Sequence, residues 1–300
     1  MSDIEILQIE LTTRCTARCP FCARVQLKYV DKTDLSLDTI KKIPFENLKR
    51  VTLSGSLGEP TCHPKFLDMI KYMREKNKEL KIVIATNGFT HNEDWWYELG
   101  KSFADPGYAV FGVDGLEDTH SIHRRGTRFK PIIRNIRAFN SSGGESLMQT
   151  IIFRHNEHQL QDLKKLSVEI GCTKMFYRVS KEYNDVLQRP LMDIRTRSEI
   201  NLEGGKITCF TVERKEIYLN VDGFLSPCFL LSSRRHHHKE EGPQFLKKFN
   251  ESLNQVNLNN CSFKEIIKND YFQYVLDNIG TLVTCNKACK CKLSELIHYL

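Results

Sequence analysis

No apolar run in this sequence approaches the ~20 residues that a membrane-spanning helix requires, which excludes a helical membrane protein. The opening residues, MSDIEILQIELTT, carry acidic side chains and no basic region ahead of an apolar stretch. A secretory signal is therefore not expected, and a cytoplasmic location with no membrane contact is. No internal repeat is visible. The low hydrophobicity of disordered chains is also missing: 40% of the 300 residues are hydrophobic and 27% charged, an ordinary globular balance. A chain of this length buries about three quarters of its unfolded surface, as one large domain or two unequal ones. Nor is there a strong excess of one charge. The 44 Lys and Arg against 37 Asp and Glu leave +7, spread along the chain. That permits an anionic partner such as nucleic acid without demonstrating one, and a solvated surface accounts for it as well.

The cysteines are the abundant feature. There are 11, an odd number, in a chain for which no secretion signal is expected. A cytosol keeps thiols reduced, so metal ligation explains them better than a disulfide framework. Cys15, Cys19 and Cys22 crowd one stretch near the start, and Cys285, Cys289 and Cys291 crowd another near the end. Cys209 and Cys228 flank an expected hairpin, EIYLNV-DG-FLSPC, turning at Asp222-Gly223. Cys62, Cys172 and Cys261 stand alone; the last two read as buried small hydrophobes.

Periodicity predicts strands at 4–11, 50–55, 81–88, 108–115, 148–153 and 174–180. Between them lie helices striped by residues such as Phe66, Ile70 and Met73, or Ile132, Ile136 and Phe139. Ser36 is expected to cap a short helix, Pro64 to open one, and Gly171 to end one. Strand and helix alternate about six times, which parallel sheets do and hairpin folds do not. Right-handed crossovers then gather the loops after the strands on one face. The pattern breaks beyond residue 180, so a boundary is expected within 181–208. Beyond it come a helix near 263–279, the cysteine-rich knuckle and a short terminal helix. The charged segment SSRRHHHKEE (232–241) reads as a solvated loop rather than a metal site, because sequence neighbours do not face one point.

Cys15-x3-Cys19-x2-Cys22 directly follows the first strand. Three thiolates can hold three irons of a 4Fe–4S cluster, which normally takes four cysteines, and leave one iron open to a ligand. Zinc with a fourth ligand from elsewhere is the alternative, although the paired C-x2-C of a zinc knuckle is missing.

The segment CTARCPFC (15–22), with Phe21 at the aromatic position of C-x3-C-x-aromatic-C, resembles the cluster loop of the radical S-adenosylmethionine (SAM) enzymes. The resemblance implies a partial (β/α)6 barrel, a 4Fe–4S cluster held by Cys15, Cys19 and Cys22, and SAM chelated to its open iron. It implies reductive cleavage of SAM to a 5′-deoxyadenosyl radical that abstracts hydrogen from a substrate, with electrons from a reducing partner such as flavodoxin or ferredoxin. SGSLGEP (54–60) resembles the family's GGEP segment, making Gly58 and Glu59 candidates for the amino group of SAM. Asn87 of TNG (86–88) ends the third strand as in many members, and a plain strand-end turn reads equally well. DGLEDTHSIHRRGTRF (114–129) resembles the segment after the fourth strand in members with C-terminal auxiliary clusters. It makes Asp114 a cofactor-binding candidate and matches Arg124 to the SAM carboxylate. Where the family often has Ser-x-Asp-Gly, this chain has Gly112-Val113-Asp114-Gly115. The nucleoside contacts carry no distinct motif; Asn156 is the candidate.

Cys209, Gly223 and Cys228 resemble the opening of SPASM and twitch extensions, with Cys285, Cys289 and Cys291 supplying the rest of a second 4Fe–4S cluster. A full SPASM domain holds two clusters and needs about seven cysteines, so the single cluster of a twitch arrangement fits better; zinc is the alternative. The expected organisation is a barrel over 1–180, a linker over 181–208 and a cluster domain over 209–300. Cys62, Tyr177 and Arg178 are candidates for the substrate cavity. The expected substrate is a peptide or protein. A nucleotide, nucleobase or small alcohol is the second reading, and a zinc-stabilised nucleic-acid-binding module without catalysis the third.

These readings predict metal content. Anaerobically reconstituted protein should hold about eight irons, and the triple variant Cys15→Ala, Cys19→Ala, Cys22→Ala about four. Iron and zinc analysis checks this. Four irons in the wild type and none in the variant, with one zinc in each, would assign the C-terminal thiols to zinc.

Overall fold

The computed structural model describes residues 4–27, 30–103, 106–180, 182–194, 207, 209–232, 241–289 and 298–299. Six strands run in sequence order: β1 Ile6–Ile9, β2 Arg50–Leu53, β3 Lys81–Thr86, β4 Gly107–Gly112, β5 Ser146–Ile152 and β6 Lys174–Val179. Each pairs in parallel with the next. Consecutive parallel neighbours require crossovers of one hand, so every strand's C-terminal end and following loop lie on the same face. This is the expected α/β partial barrel, with each element within a few residues of its expected position.

Alternation along the strands explains the two faces of the sheet. Leu7, Ile9, Val51, Leu53, Ile82, Ile84, Phe111, Met148 and Ile152 are buried against the helices. Trp96 of helix Glu93–Ser102 packs against Phe111, with ring centroids 5.1 Å apart, and against Phe139 of helix Phe129–Ser141 at 6.3 Å. The opposite face lines the barrel interior and is less closed: Val110, Leu147, Gln149 and Ile151 are half-buried and Ala85 is exposed. Chain punctuation follows expectation. Ser36 accepts from the Thr39 N–H at 3.0 Å, and Gly171 takes φ +82° after helix Leu160–Glu169. The helix after Pro64 spans Phe66–Lys76.

The C-terminal segment differs from expectation. β7 (Glu216–Leu219) pairs in parallel with β1, and β8 (Leu225–Ser226) pairs antiparallel with β7. β9 (His298–Tyr299) pairs antiparallel with β6 at the far edge. One nine-stranded sheet results, in the order β8-β7-β1-β2-β3-β4-β5-β6-β9. The sheet therefore continues across the boundary expected at 181–208 and is flanked at both edges by C-terminal strands. Bare edges of a parallel sheet expose unpaired N–H and C=O groups, and these strands cover both. Gly223, at φ +85°, turns the predicted hairpin. The helix expected near 263–279 is two: Phe263–Ile266, opened by a Ser262–Glu265 capping box, and Asp270–Asp277. Most of the linker, the His-rich run 233–240 and residues 290–297 lie outside the described residues; where the terminal helix is expected to end the chain, His298–Tyr299 form β9 instead. Among the described residues no helix is long and apolar enough to cross a membrane.

Because β7 completes the β1 edge, a chain ending at residue 208 should not behave as a free barrel. It would bare the β1 ladder and uncover apolar surface now buried by Ile217 and Leu219. We expect aggregation, or loss of a cooperative unfolding transition by circular dichroism. A soluble truncation that melts like the full chain would show the barrel to be autonomous.

Candidate functional site

The loops after β1, β2 and β4 interlock on the face where the strands end. β1 runs into Glu10, whose buried carboxylate Oε1 accepts from the Ser56 and Leu57 N–H groups, both at 2.7 Å. This clamps the loop after β2 onto the end of β1. Gly58 then passes so close that a Cβ there would lie 1.8 Å from the Thr12 carbonyl oxygen. Only glycine fits such an approach. The Glu59 N–H donates to the Arg14 carbonyl at 2.7 Å, one residue before Cys15. From the other side the Arg18 N–H donates to the Arg125 carbonyl at 2.6 Å, and Gly126 (φ +84°) lies against Thr16. Arg14 makes a bidentate ion pair with Asp34, holding the base of the cysteine loop. The cysteine loop is thus gripped by the segments after β2 and β4.

Cys15, Cys19 and Cys22 are half-buried, as is Phe21 between them. Burial, reinforced by the Glu59 carboxylate, pushes the Cys15 thiol up to about 12; burial also raises Cys19. Ligation by iron reverses that balance, because bound cysteine is deprotonated. Among the described residues no group of three His, Cys, Asp or Glu side chains is posed to hold a single ion. A cubane makes no such demand, since each thiolate takes a different iron. The donor set, three thiols on one clamped loop, fits a cluster with one iron left open.

Glu59 is buried and reaches β3. Its Oε1 accepts from the Thr86 hydroxyl at 2.6 Å and the Thr61 hydroxyl at 2.9 Å, and its Oε2 from the Asn87 N–H at 2.7 Å. Burial raises its pKa against the pull of those donors. The Asn87 side-chain amide in turn lies 3.8 Å from Cys15 Sγ. The turn at Asn87 therefore bridges the carboxylate and the cysteine loop, beyond the plain strand-end turn of the sequence reading. Cys62 is half-buried next to this group, its thiol pushed up to about 11 by burial and by Glu59.

After β4, Asp114 is fully buried and charged. Its Oδ2 lies 2.7 Å from His123 Nδ1 and 2.5 Å from Arg124 Nε, and its Oδ1 accepts from the Ile151 N–H at 2.7 Å. Burial works to raise its pKa, but Arg124 and His123 outweigh that and hold it well below the usual carboxylate range. The Arg124 guanidinium lies over Gly112, where a Cβ would come within 2.4 Å of Nη2. Asn156 is fully buried: Oδ1 accepts from the Phe153 N–H at 2.8 Å, and Nδ2 donates to the Asp114 carbonyl at 3.1 Å and the Ile151 carbonyl at 3.0 Å. These bonds run within the protein, so Asp114 and Asn156 hold Arg124 and the ends of β4 and β5 in place instead of presenting free donors or acceptors. Tyr177 and Arg178 separate by alternation. Arg178 shares the interior register of Ile151 and stacks over Phe176, whereas Tyr177 packs against the helix-side core.

At the other side, Cys209, Cys228, Cys285 and Cys289 line one cavity together with Gln8 and Tyr218. Burial pushes Cys228 up to about 12 and raises Cys285, and each of these two thiols is raised further by the neighbouring cysteines. Four thiols are the number a 4Fe–4S cluster normally takes. Cys291 lies outside the described residues. Cys172 is buried, as expected, with its sulfur 3.3 Å from the Ser146 hydroxyl; Cys261 is half-buried. Sequence reading missed Glu10, His123 and Tyr218, whose roles depend on partners far away along the chain.

Residues 9–166 match the radical SAM superfamily. The tungsten-containing aldehyde ferredoxin oxidoreductase cofactor-modifying protein of Pyrococcus furiosus is 24% identical over 185 residues, 57% of this chain and 50% of that protein. A GTP 3′,8-cyclase of Clostridium perfringens (strain 13) is 23% identical over 303 residues, covering 90% of each. The first curated relatives are thus matched over about half their length. Among solved structures, native anSMEcpe with bound AdoMet and Cp18Cys peptide superposes with a TM-score of 0.58 at 13% identity, over 95% of this chain and 87% of that one.

Removing the Asp114 charge tests the buried pair. Asp114→Asn leaves Arg124 without its partner and should cost about 3–5 kcal/mol in denaturant unfolding. Because the folded carboxyl is held below its unfolded value, its contribution is present above about pH 4 and lost as pH falls further. The gap between wild type and Asp114→Asn should therefore narrow below that pH; a constant gap would refute the assignment.

Proposed function

The chain belongs to the radical SAM superfamily and is an enzyme, and from that premise we propose that it removes hydrogen from a carbon of a peptide or protein substrate, with Cys15, Cys19 and Cys22 holding the catalytic 4Fe–4S cluster. The cluster and SAM together supply a 5′-deoxyadenosyl radical when a reducing partner such as flavodoxin or ferredoxin delivers an electron. The protein's task is binding and orientation. Glu59 accepts from the ammonium of SAM. Arg124, held by Asp114, directs its Nη groups to the carboxylate, and Asn87 ties Glu59 to Cys15. Gly112 leaves room for the guanidinium. Arg178 and Gln149 face the interior and are candidates to meet substrate. Cys209, Cys228, Cys285 and Cys289 hold a second 4Fe–4S cluster on the side flanked by β7, in a C-terminal twitch-like region over 209–300.

The observation that carries this reading is the grip on the cysteine loop, by Glu59 N–H on Arg14 and Arg18 N–H on Arg125. It joins thiols, carboxylate and guanidinium into one unit. Peptide is favoured by the likeness to anSMEcpe, whose structure holds a bound peptide, and by the partly open interior. A second reading, action on a nucleotide, is favoured by the match to a GTP 3′,8-cyclase along 90% of both chains.

Two measurements test the proposal. Glu59→Gln and Arg124→Ala should each weaken SAM binding about ten- to a hundredfold, the loss of one charge-assisted hydrogen bond, with iron content unchanged. Unchanged affinity in both would move the cofactor site elsewhere. The anaerobic enzyme would then be incubated with candidate peptides, nucleoside triphosphates and single-stranded DNA, and products weighed by mass spectrometry. Loss of two hydrogens or a crosslink in a peptide is expected. A modified nucleotide or base, with every peptide untouched, would replace the peptide reading with the second.

A further inference from the structure

The cavity of four C-terminal thiols and the SAM loop are joined by one buried hydrogen bond. Tyr218, on β7, is 1% exposed and lines the cavity that Cys209, Cys228, Cys285 and Cys289 share. Its hydroxyl donates to Glu10 Oε2 at 3.0 Å and lies 3.3 Å from the Ser56 hydroxyl. Glu10, also 1% exposed, spends its other oxygen on the Ser56 and Leu57 N–H groups at 2.7 Å. Those residues lead directly into Gly58 and Glu59. A buried carboxylate cannot leave its donors without a large desolvation cost, so Glu10 ties the position of Tyr218 to that of the loop. β7 reaches β1 from the far end of the chain, 208 residues from Glu10. The wall of the thiol cavity and the base of the SAM loop are therefore one hydrogen-bonded piece.

We propose that Tyr218 is a positioning residue for the SAM-binding loop, acting through Glu10, and that the state of the C-terminal thiol cavity sets SAM affinity through this bond. The inference rests on the assignment above of SAM to the Glu59 loop and of a cluster to the four thiols. Ligation of Cys209 and Cys228 fixes the hairpin and the strand that carry Tyr218. The fixed phenol holds Glu10, and Glu10 holds Ser56 and Leu57 where Glu59 meets the cofactor. Without that ligation the wall relaxes and the loop must be ordered by SAM itself, which weakens binding.

The pair makes an asymmetric chemical prediction. Glutamine at position 10 can still accept from both backbone N–H groups through its carbonyl oxygen. Its amide can donate to the Tyr218 oxygen once the phenol turns its proton to Ser56. Glu10→Gln should therefore be tolerated beside Tyr218. Combined with Tyr218→Phe, the amide would face a ring with no acceptor and lose the bond that Tyr218 supplies.

The experiment uses the full chain, reconstituted anaerobically, with SAM affinity from equilibrium dialysis and iron from chemical analysis. Tyr218→Phe should weaken SAM binding about tenfold at unchanged iron content. Glu10→Gln alone should weaken binding less than Tyr218→Phe does, and the double variant should fall well below Tyr218→Phe. The pair Cys209→Ala and Cys228→Ala should lose about four irons and also weaken SAM binding. Adding Tyr218→Phe to that pair should change affinity less than about twofold, because one connection has already been cut. Wild-type affinity in Tyr218→Phe overturns the proposal, as do multiplicative losses between Tyr218→Phe and the cysteine pair. Should Tyr218→Phe fail to retain iron, Glu10→Gln against Glu10→Ala decides: equal affinities overturn the proposal, and a loss confined to alanine supports it. A wild type that carries iron but binds no SAM would sink the cofactor assignment and this inference together. A wild type that binds SAM, with Tyr218→Phe matching it, sinks this inference alone.

Discussion

The constraint on which the site depends is that its carboxylates are buried. Glu10, Glu59 and Asp114 follow β1, β2 and β4, and each is at most 4% exposed. An ionised carboxylate removed from water must be fully satisfied, or it destabilises the fold by several kcal/mol. Each finds its donors on a neighbouring loop. Glu10 takes the backbone of the loop after β2, Glu59 takes the end of β3, and Asp114 takes His123, Arg124 and the backbone of β5. No loop can shift without stranding a buried carboxyl group on the next. A partial barrel lacks the closed ring of strands that would otherwise fix its loops, and these buried hydrogen bonds take over that function.

The same logic explains why polar side chains crowd the strand ends while the core behind them is aliphatic and aromatic. Thr86, Asn87, Thr61 and Gln159 are nearly inaccessible and hydrogen-bonded across loops. In a low-dielectric setting such bonds are directional as well as favourable, so they specify a geometry that apolar packing alone would leave loose. For the radical chemistry proposed above, that geometry matters more than stability, because the cofactor would supply the reactivity and placement would decide which hydrogen is taken.

Much of this was legible in the sequence. The parallel sheet followed from β-branched runs alternating with striped helices. The cysteine loop stood out by its spacing, and the segments at 54–60 and 114–129 by their resemblance to family motifs behind the second and fourth strands. What escaped were features whose meaning lies in distant partners. Glu10 looks like an ordinary strand-end acid until Ser56, Leu57 and Tyr218 surround it. Tyr218 looks like a strand aromatic. The hairpin of β7 and β8 was legible, but its parallel pairing with β1 and the two-residue strand β9 carry no local pattern, so the C-terminal region read as a separate unit although it extends both edges of the sheet. Tyr177 and Arg178, both cavity candidates in the sequence, face opposite ways, and which one faces inward depends on register with β5. Asn156, the candidate for the nucleoside contacts, follows β5 and is fully buried. Its three bonds to backbone show a brace, which no local signal distinguishes from a ligand.

Gly112 illustrates how a departure from a family pattern is best read. Beside the Ser-x-Asp-Gly often found in the family, the missing hydroxyl suggests a lost cofactor contact. In the folded chain the missing side chain is space, and Arg124 fills it: any Cβ at 112 would collide with the guanidinium. The guanidinium is in turn drawn there by Asp114, two residues further along the same strand end, and the pair is buried as a unit. A serine at 112 could contribute one neutral hydrogen bond only by pushing aside a cation that bonds through charge. Charge-assisted bonds are about twice as strong as neutral ones, so glycine at this position keeps the buried ion pair of Arg124 and Asp114 and gives up a weaker neutral bond.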